Sequence, residues 1–157
     1  MKKWIIIILV VALIIFLWQV ISIYQSTISP LKSEKEYAGE IVKNKTEIQT
    51  IQAVDVYNGT NVYHIVSGTN ADNEQLIAWL NEEDEVVLMK KADEGIKKEE
   101  VLQFLNTNRT PKKIISITLA MEKNIPLWEV KFTDTDDRYH FYYIKFDDGE
   151  FFQRISF

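Results

Sequence analysis

The hydrophobic pattern of this chain changes character twice. From Trp4 to Trp18 it is unbroken, and only Gln19 and Ser22 are polar before Tyr24. At the helical rise, Trp4 to Ile23 spans ~30 Å, the hydrocarbon thickness of a bilayer. Trp4, Trp18 and Tyr24 stand where interfacial aromatics are expected, and Lys2 and Lys3 favour a cytoplasmic N-terminus. Residues 1–24 are therefore expected to form a cytoplasmic start and a single membrane anchor, with the remainder extracytoplasmic. A cleaved signal peptide shares the basic start and apolar core, and Ser26 and Ser29 are small enough to suit one. Bulky Val20, Ile21, Ile23 and Tyr24 favour a retained anchor.

Beyond the anchor the pattern turns amphipathic. Tyr37, Ala38, Ile41 and Val42 make a thin apolar stripe in a helix predicted over Leu31 to Asn44, with Pro30 in its first turn. Four extended segments follow: Glu47 to Tyr57, Asn61 to Thr69, Glu74 to Leu80 and Glu85 to Lys90. Asn58-Gly59 predicts a type I′ hairpin turn. A second helix is predicted from Ile96, with Val101, Leu102, Phe104 and Leu105 on its apolar side and Pro111 as its stop. Four more extended segments then run Lys113 to Lys123, Leu127 to Thr133, Arg138 to Phe146 and Glu150 to Ser156, with Asp148-Gly149 as the last turn.

A helix and four strands thus occur twice, at a shift of about 65 positions that matches Tyr63 to Trp128, Ile65 to Val130 and Leu31 to Ile96. The expected units are 25–92 and 93–157. Each is small for independent stability, so docking of one on the other is expected. The fold class is α+β: an N-terminal transmembrane helix, then two tandem units, each a helix on a four-stranded antiparallel sheet.

The run Arg138 to Phe146, "RYHFYYIKF", is apolar or aromatic on both faces. Leu76, Ala78 and Leu80 correspond to Tyr142, Ile144 and Phe146 as core-facing residues, and Trp128, Val130 and Phe132 face the second helix. That leaves Ile77 and Trp79 on the outer face of one sheet, and Tyr139, Phe141 and Tyr143 on the outer face of the other. Contiguous apolar surface outside a sheet marks an interface, with Tyr and Trp common anchors. These five are the candidate contact residues, with the sister unit as first occupant and a partner at the seam.

Composition narrows the chemistry. The chain has 157 residues, 46% hydrophobic and 26% charged, with formal net charge -5, no cysteine and two histidines. That composition describes a folded protein. The charge argues against nucleic acid, which needs a basic stripe. Absence of cysteine excludes disulfides, thiolate metal sites and thiol catalysis. His64 and His140 fall on non-equivalent strands and are expected to be exposed or half-buried. No hydrolase, zinc or nucleotide-loop motif occurs. Asp134 to Arg138 and Asp147 to Glu150 read as solvated turns, since neither has the ligand spacing of a calcium loop. No catalytic residue, metal, cofactor, nucleic acid or small-molecule substrate is expected.

The basic start with its anchor, the tandem units and the ending "PLWEVKF...YYIKFDDGEFF" together resemble the YpmB/TseB-like proteins of Gram-positive bacteria. In the PepSY-related, cystatin-like pattern of that family, Trp128, Val130, Asp147 and Gly149 occupy the W-x-V and acidic-turn places. The first unit departs from it, with Tyr63 for the tryptophan and Glu82-Glu83-Asp84 for the glycine turn. The resemblance implies a non-enzymatic, single-pass regulator of cell-wall elongation that contacts a penicillin-binding protein. The alternative it implies is a PepSY-type inhibitor of an extracellular peptidase, for which Gly68-Thr69-Asn70 and the Asp134 to Arg138 turn are the candidate loops.

Overall fold

A computed structural model describes the backbone of residues 2–157 and the side chains of residues 11–23 and 34–157. Packing divides the chain into residues 1–36 and a body from Tyr37 to Phe157. The first element, α1, runs Lys2–Lys45. It passes through Pro30, which was expected to open a separate helix; a proline inside a helix removes one N–H···O=C bond but does not by itself end the run. Lys43 and Lys45 in the last turn complement the helix dipole. The Thr46 hydroxyl then donates to Val42 O at 2.8 Å and accepts from Ile48 N–H, turning the chain into the first strand.

Within residues 11–23 the apolar side chains, Trp18 among them, are about half exposed or more. The side chains of Trp4 and Tyr24, expected at the ends of the anchor, lie outside the described residues. Among the described residues no helix is long and apolar enough to cross a membrane.

The body holds two antiparallel meanders. One has the order β1 (Thr50–Asn58), β2 (Val62–Thr69), β3 (Gln75–Leu80), β4 (Val86–Lys91); the other has β5 (Lys113–Glu122), β6 (Ile125–Thr133), β7 (Tyr139–Lys145), β8 (Phe151–Ser156). A short 3₁₀ turn, Ala92–Glu94, and helix α2, Lys98–Asn108, connect them. Helix α2 starts two residues later than expected because Ile96 is tied to the sheet. Its N–H donates to Phe146 O at 2.8 Å, and its carbonyl accepts from Trp128 Nε1 at 2.9 Å. Glu100 then caps the helix by accepting from Lys97 N–H at 2.7 Å.

The last turns of α1, from Ala38 on, pack on one face of the first sheet: Ala38, Val42, Ile48, Val66, Leu76, Ala78 and Leu80 form one buried cluster. Leu76, Ala78 and Leu80 are core-facing, as expected. Tyr37 is not part of the stripe; it is exposed, and its hydroxyl donates to Asp84 Oδ2 at 2.9 Å. A second cluster joins Val101 and Leu105 of α2 to Trp128, Val130, Phe132, Tyr142, Ile144 and Phe146, again as expected. Leu102, expected with them, is exposed.

The second cluster also contains Tyr57, Tyr63, Ile65, Ile77 and Trp79 from the first sheet. Tyr63 and Ile65 therefore lie on the face away from α1, and their expected match to Trp128 and Val130 is corrected. The ladders pair Val66 with Ala78 and Val130 with Tyr142. Both pairs face a helix, so the sheets superpose at a shift of 64, at which His64 corresponds to Trp128 and Trp79 to Tyr143. Bulges at Trp79/Leu80 and Tyr143/Ile144 keep the same relation. A shift of one residue turns every strand side chain to the other face.

Candidate functional site: a cleft where the two sheets meet

The outer faces of the two sheets converge beside the β1–β2 loop. Asn58-Gly59 was expected to make a type I′ turn there. Neither residue has positive φ, and the two-residue turn lies instead at Lys123 (φ 52°) and Asn124 (φ 62°), which join β5 to β6. Gly59 answers a different constraint. A Cβ on it would stand 2.1 Å from Glu122 Oε1 and 2.5 Å from the Tyr57 ring. A side chain at this position would have to displace the Glu122 carboxylate and the end of the Tyr57 ring.

Glu122 Oε1 accepts two hydrogen bonds across the seam, from the Tyr57 hydroxyl at 3.0 Å and from Thr60 N–H at 2.8 Å. Burial works to raise the Glu122 carboxyl, but the Thr60 and Tyr57 donors outweigh it and hold the group below its ordinary value. Burial, with the Tyr143 hydroxyl and the Glu122 carboxylate close by, pushes the Tyr57 phenol far up. The Tyr143 ring meets Tyr57 edge-on, centroids 6.4 Å apart. Its hydroxyl donates to Glu129 Oε2 at 2.9 Å, and burial followed by that carboxylate pushes its phenol up to about 12. Glu129 is itself buried and also pairs with Lys131 Nζ at 3.0 Å.

Lys131 Nζ lies 5.3 Å above the centre of the Phe141 ring, and Phe141 meets Phe157 edge-on at 5.9 Å. Tyr57, Glu122, Tyr143, Phe141 and Phe157, with Phe152 and Ile155, line a cleft of about 430 Å³. One wall belongs to β8, which among the described residues pairs with β7 only and leaves its other backbone edge open. Phe157 and Ile155 are exposed on that wall. The walls are apolar and aromatic, and the polar groups between them are satisfied by one another. This is the chemistry of a recognition surface: two protonated phenols, two carboxylates that accept from them, and no nucleophile beside a base.

Four of the five expected contact residues come together. Ile77, Trp79 and Tyr143 are buried in the shared cluster, and Phe141 packs half-buried against it. Trp79 is 0% exposed and donates from Nε1 to Ala120 O at 3.2 Å, with Phe146 edge-on at 5.9 Å. Tyr139 stays out at 54% exposure, cross-strand from Thr133. Tyr57, Glu122, Glu129 and the β8 residues were not anticipated. The available signal was Glu129, a carboxylate set between Trp128 and Val130.

The two histidines lie in different sheets. His64 is half-buried on β2, as expected. His140 is buried rather than exposed or half-buried, because Phe132 stacks on it at 4.8 Å and both ring nitrogens are engaged, by Ser156 Oγ at 2.7 Å and Asp134 Oδ2 at 2.8 Å. Asp134 also takes the backbone N–H groups of Asp136 and Arg138, so this acidic stretch caps its own turn. Among the described residues no group of three or more His, Cys, Asp or Glu side chains could hold a metal ion. Of the two loops weighed for a protease cleft, Gly68-Thr69-Asn70 is not a projecting loop. Thr69 ends β2, and Asn70 is buried in a turn that it caps itself.

The family described as "Cell wall elongation regulator TseB-like domain" matches residues 38–81. A Bacillus subtilis (strain 168) protein named "Probable cell wall elongation regulator TseB" is 28% identical over 136 residues, covering 86% of this chain and 84% of that protein. The solved structure of the YpmB protein from Bacillus subtilis superposes with a TM-score of 0.71 at 27% identity, covering 77% of this chain and 95% of that one.

Proposed function

The chain belongs to the YpmB/TseB-like family, and from that premise we propose that it regulates cell-wall elongation without catalysing a reaction. In this reading the segment from Trp4 to Ile23 spans the membrane with the N-terminus cytoplasmic. The body acts outside, by contact with a penicillin-binding protein. One physical fact supports the anchor. The apolar side chains of residues 11–23 surround their helix without protein cover among the described residues, and a helix apolar all round belongs in a core or a bilayer. Confining both partners to one membrane also raises their effective concentration, so a modest contact suffices.

The observation that carries the contact is the cleft with its β8 wall. It joins exposed Phe157 and Ile155 to half-buried Phe141 and to an open strand edge, which a partner segment can extend by backbone pairing while its side chains enter the cleft. The test places a photo-crosslinking residue at Ile155 or Phe157 of the full-length protein in its native membrane, with exposed Asp72 as the control position. Capture of a penicillin-binding protein from the cleft positions, and not from the control, is the expected result. Capture of secreted peptidases alone, or equal capture from all three positions, overturns the proposal.

A further inference from the structure

The chain carries 15 lysines but only three arginines, Arg109, Arg138 and Arg154. All three line one pocket of about 200 Å³ on the α2 side of β7 and β8, together with Phe132, Asp134, His140 and Ser156. They arrive from three separate places: the end of α2, the β6–β7 turn, and β8. A chain that otherwise uses lysine for its positive charge has concentrated its guanidiniums here. The two side chains differ in what they recognise. Lysine offers a hydrated point charge, whereas arginine offers a planar fork that matches two oxygens of an anion.

The local pairing leaves a charge over. Arg138 is committed to Asp134 through Nε at 3.0 Å and to Asp136 through Nη2 at 3.1 Å. Arg109 lies over the Tyr142 ring, its Cζ 5.0 Å from the centre, and spends one N–H on the Tyr142 hydroxyl at 3.0 Å. The side chain of Arg154, cross-strand from Tyr142, has no hydrogen bond or ion pair among the described residues. Three guanidiniums against the carboxylates of Asp134 and Asp136 leave one positive charge uncompensated. His140 holds Asp134 on one side and Ser156 on the other, which fixes its ring in the pocket lining.

The Ser156–His140–Asp134 line has the order of a hydrolytic triad but a different use. A triad carboxylate serves the imidazole; the Asp134 carboxylate is divided among His140, Arg138 and two backbone N–H groups. We propose that this pocket binds an oxyanion, a carboxylate or a phosphate group, held by Arg154 and the remaining N–H groups of Arg109. The proposal stands apart from the cleft, which opens on the opposite face of β7, and does not depend on it.

The test is a titration of the full-length, isotope-labelled protein in detergent micelles, following the arginine Nε–H and His140 ring signals by NMR. The probes are sodium acetate and sodium phosphate at constant ionic strength, with sodium chloride as the reference. Saturable shifts at Arg154 and Arg109 with acetate assign a carboxylate ligand, and with phosphate a phosphate group; either supports the proposal. Arg154→Gln is exposed enough to leave the fold intact and should weaken binding roughly ten- to a hundredfold, the loss of one charged hydrogen-bonding group. Arg154→Lys should recover only part of that. No saturation with either anion, the same response to chloride, or an unchanged response in Arg154→Gln overturns it.

Discussion

Truncating Trp79 tests whether the two sheets fold as one body. The residue belongs to β3 of the first sheet, yet its named partners, Ala120 and Phe146, belong to the second half of the body. A tryptophan of this kind buries roughly 150–250 Å², which at ~25 cal/mol/Å² gives about 4–6 kcal/mol as an upper bound. Trp79→Ala keeps the Cβ and loses the hydrogen bond to Ala120 O, so the expected cost is about 3–5 kcal/mol. That is a large part of the ~5–15 kcal/mol that holds a domain together. Trp79→Phe keeps most of the apolar volume and the edge-on contact, and should cost about 1–3 kcal/mol. The assay is urea unfolding of the full-length protein, followed by circular dichroism and by fluorescence. Trp128 packs against Phe146 under α2 and reports the second sheet in both variants. A single transition should shift to lower urea by about 2 M in Trp79→Ala, with both probes moving together. A Trp128 transition that stays at its wild-type midpoint while the dichroism of the first sheet moves would refute the reasoning, because the sheets would then unfold separately.

Three further perturbations probe the polar groups. The His140 imidazole, joined by Arg138 and two backbone N–H groups, holds the Asp134 carboxyl well below its ordinary value. Since the folded value is the lower one, its contribution to stability is present above about pH 4 and is lost as the pH falls below that. Asp134→Asn should therefore melt earlier than wild type at pH 7, and the gap should close towards pH 3; a constant gap would count against the pairing. Tyr57 and Tyr143 are shifted the other way, so the fold keeps both phenols protonated and loses that contribution as the pH rises beyond about 10. Absorbance at 295 nm should show these two ionising last, Tyr143 near pH 12 or on unfolding, and Tyr143→Phe should remove one of the late steps. Gly59→Ala should push Glu122 off Tyr57 and Thr60 at a cost of about 1–3 kcal/mol. Tyr57→Phe should then cost less in that background than alone, a coupling that a double-mutant cycle of melting measurements reads directly.

Period and punctuation made the strands and α2 legible to within a few residues, because a half-buried strand alternates and the turn before Pro111 closes α2. What alternation could not supply was the repeat offset. Matching Tyr63 to Trp128 is natural, since both are large aromatics near the start of equivalent strands. The sheets superpose one residue away from that match, which places His64 against Trp128 and inverts the face of every residue around it. Leu76, Ala78 and Leu80 escaped the error because an even slip preserves the face. Ile96 was misread as helical because its ties to Phe146 and Trp128 are tertiary and leave no mark on local sequence. The same holds for Tyr57 and Glu122, which meet across 65 positions.

The corrected offset also explains why the cleft lies where it does. Ile77 and Trp79 are the structural equivalents of Phe141 and Tyr143, and each pair looks away from its own helix. Equivalent faces docked symmetrically would hide both pairs equally. In the first sheet the face is closed, with Ile77 and Trp79 both buried. In the second sheet coverage fades along one strand, from Tyr143 at 7% exposure through half-buried Phe141 to Tyr139 at 54%. The closest backbone approach to the first sheet is made by β5, at the opposite edge of the second sheet from β8. Docking therefore closes the seam at one side and leaves it open at the other. Asymmetry of docking, rather than any specialised loop, leaves aromatic surface beside an open strand edge, and that is the place a partner would find.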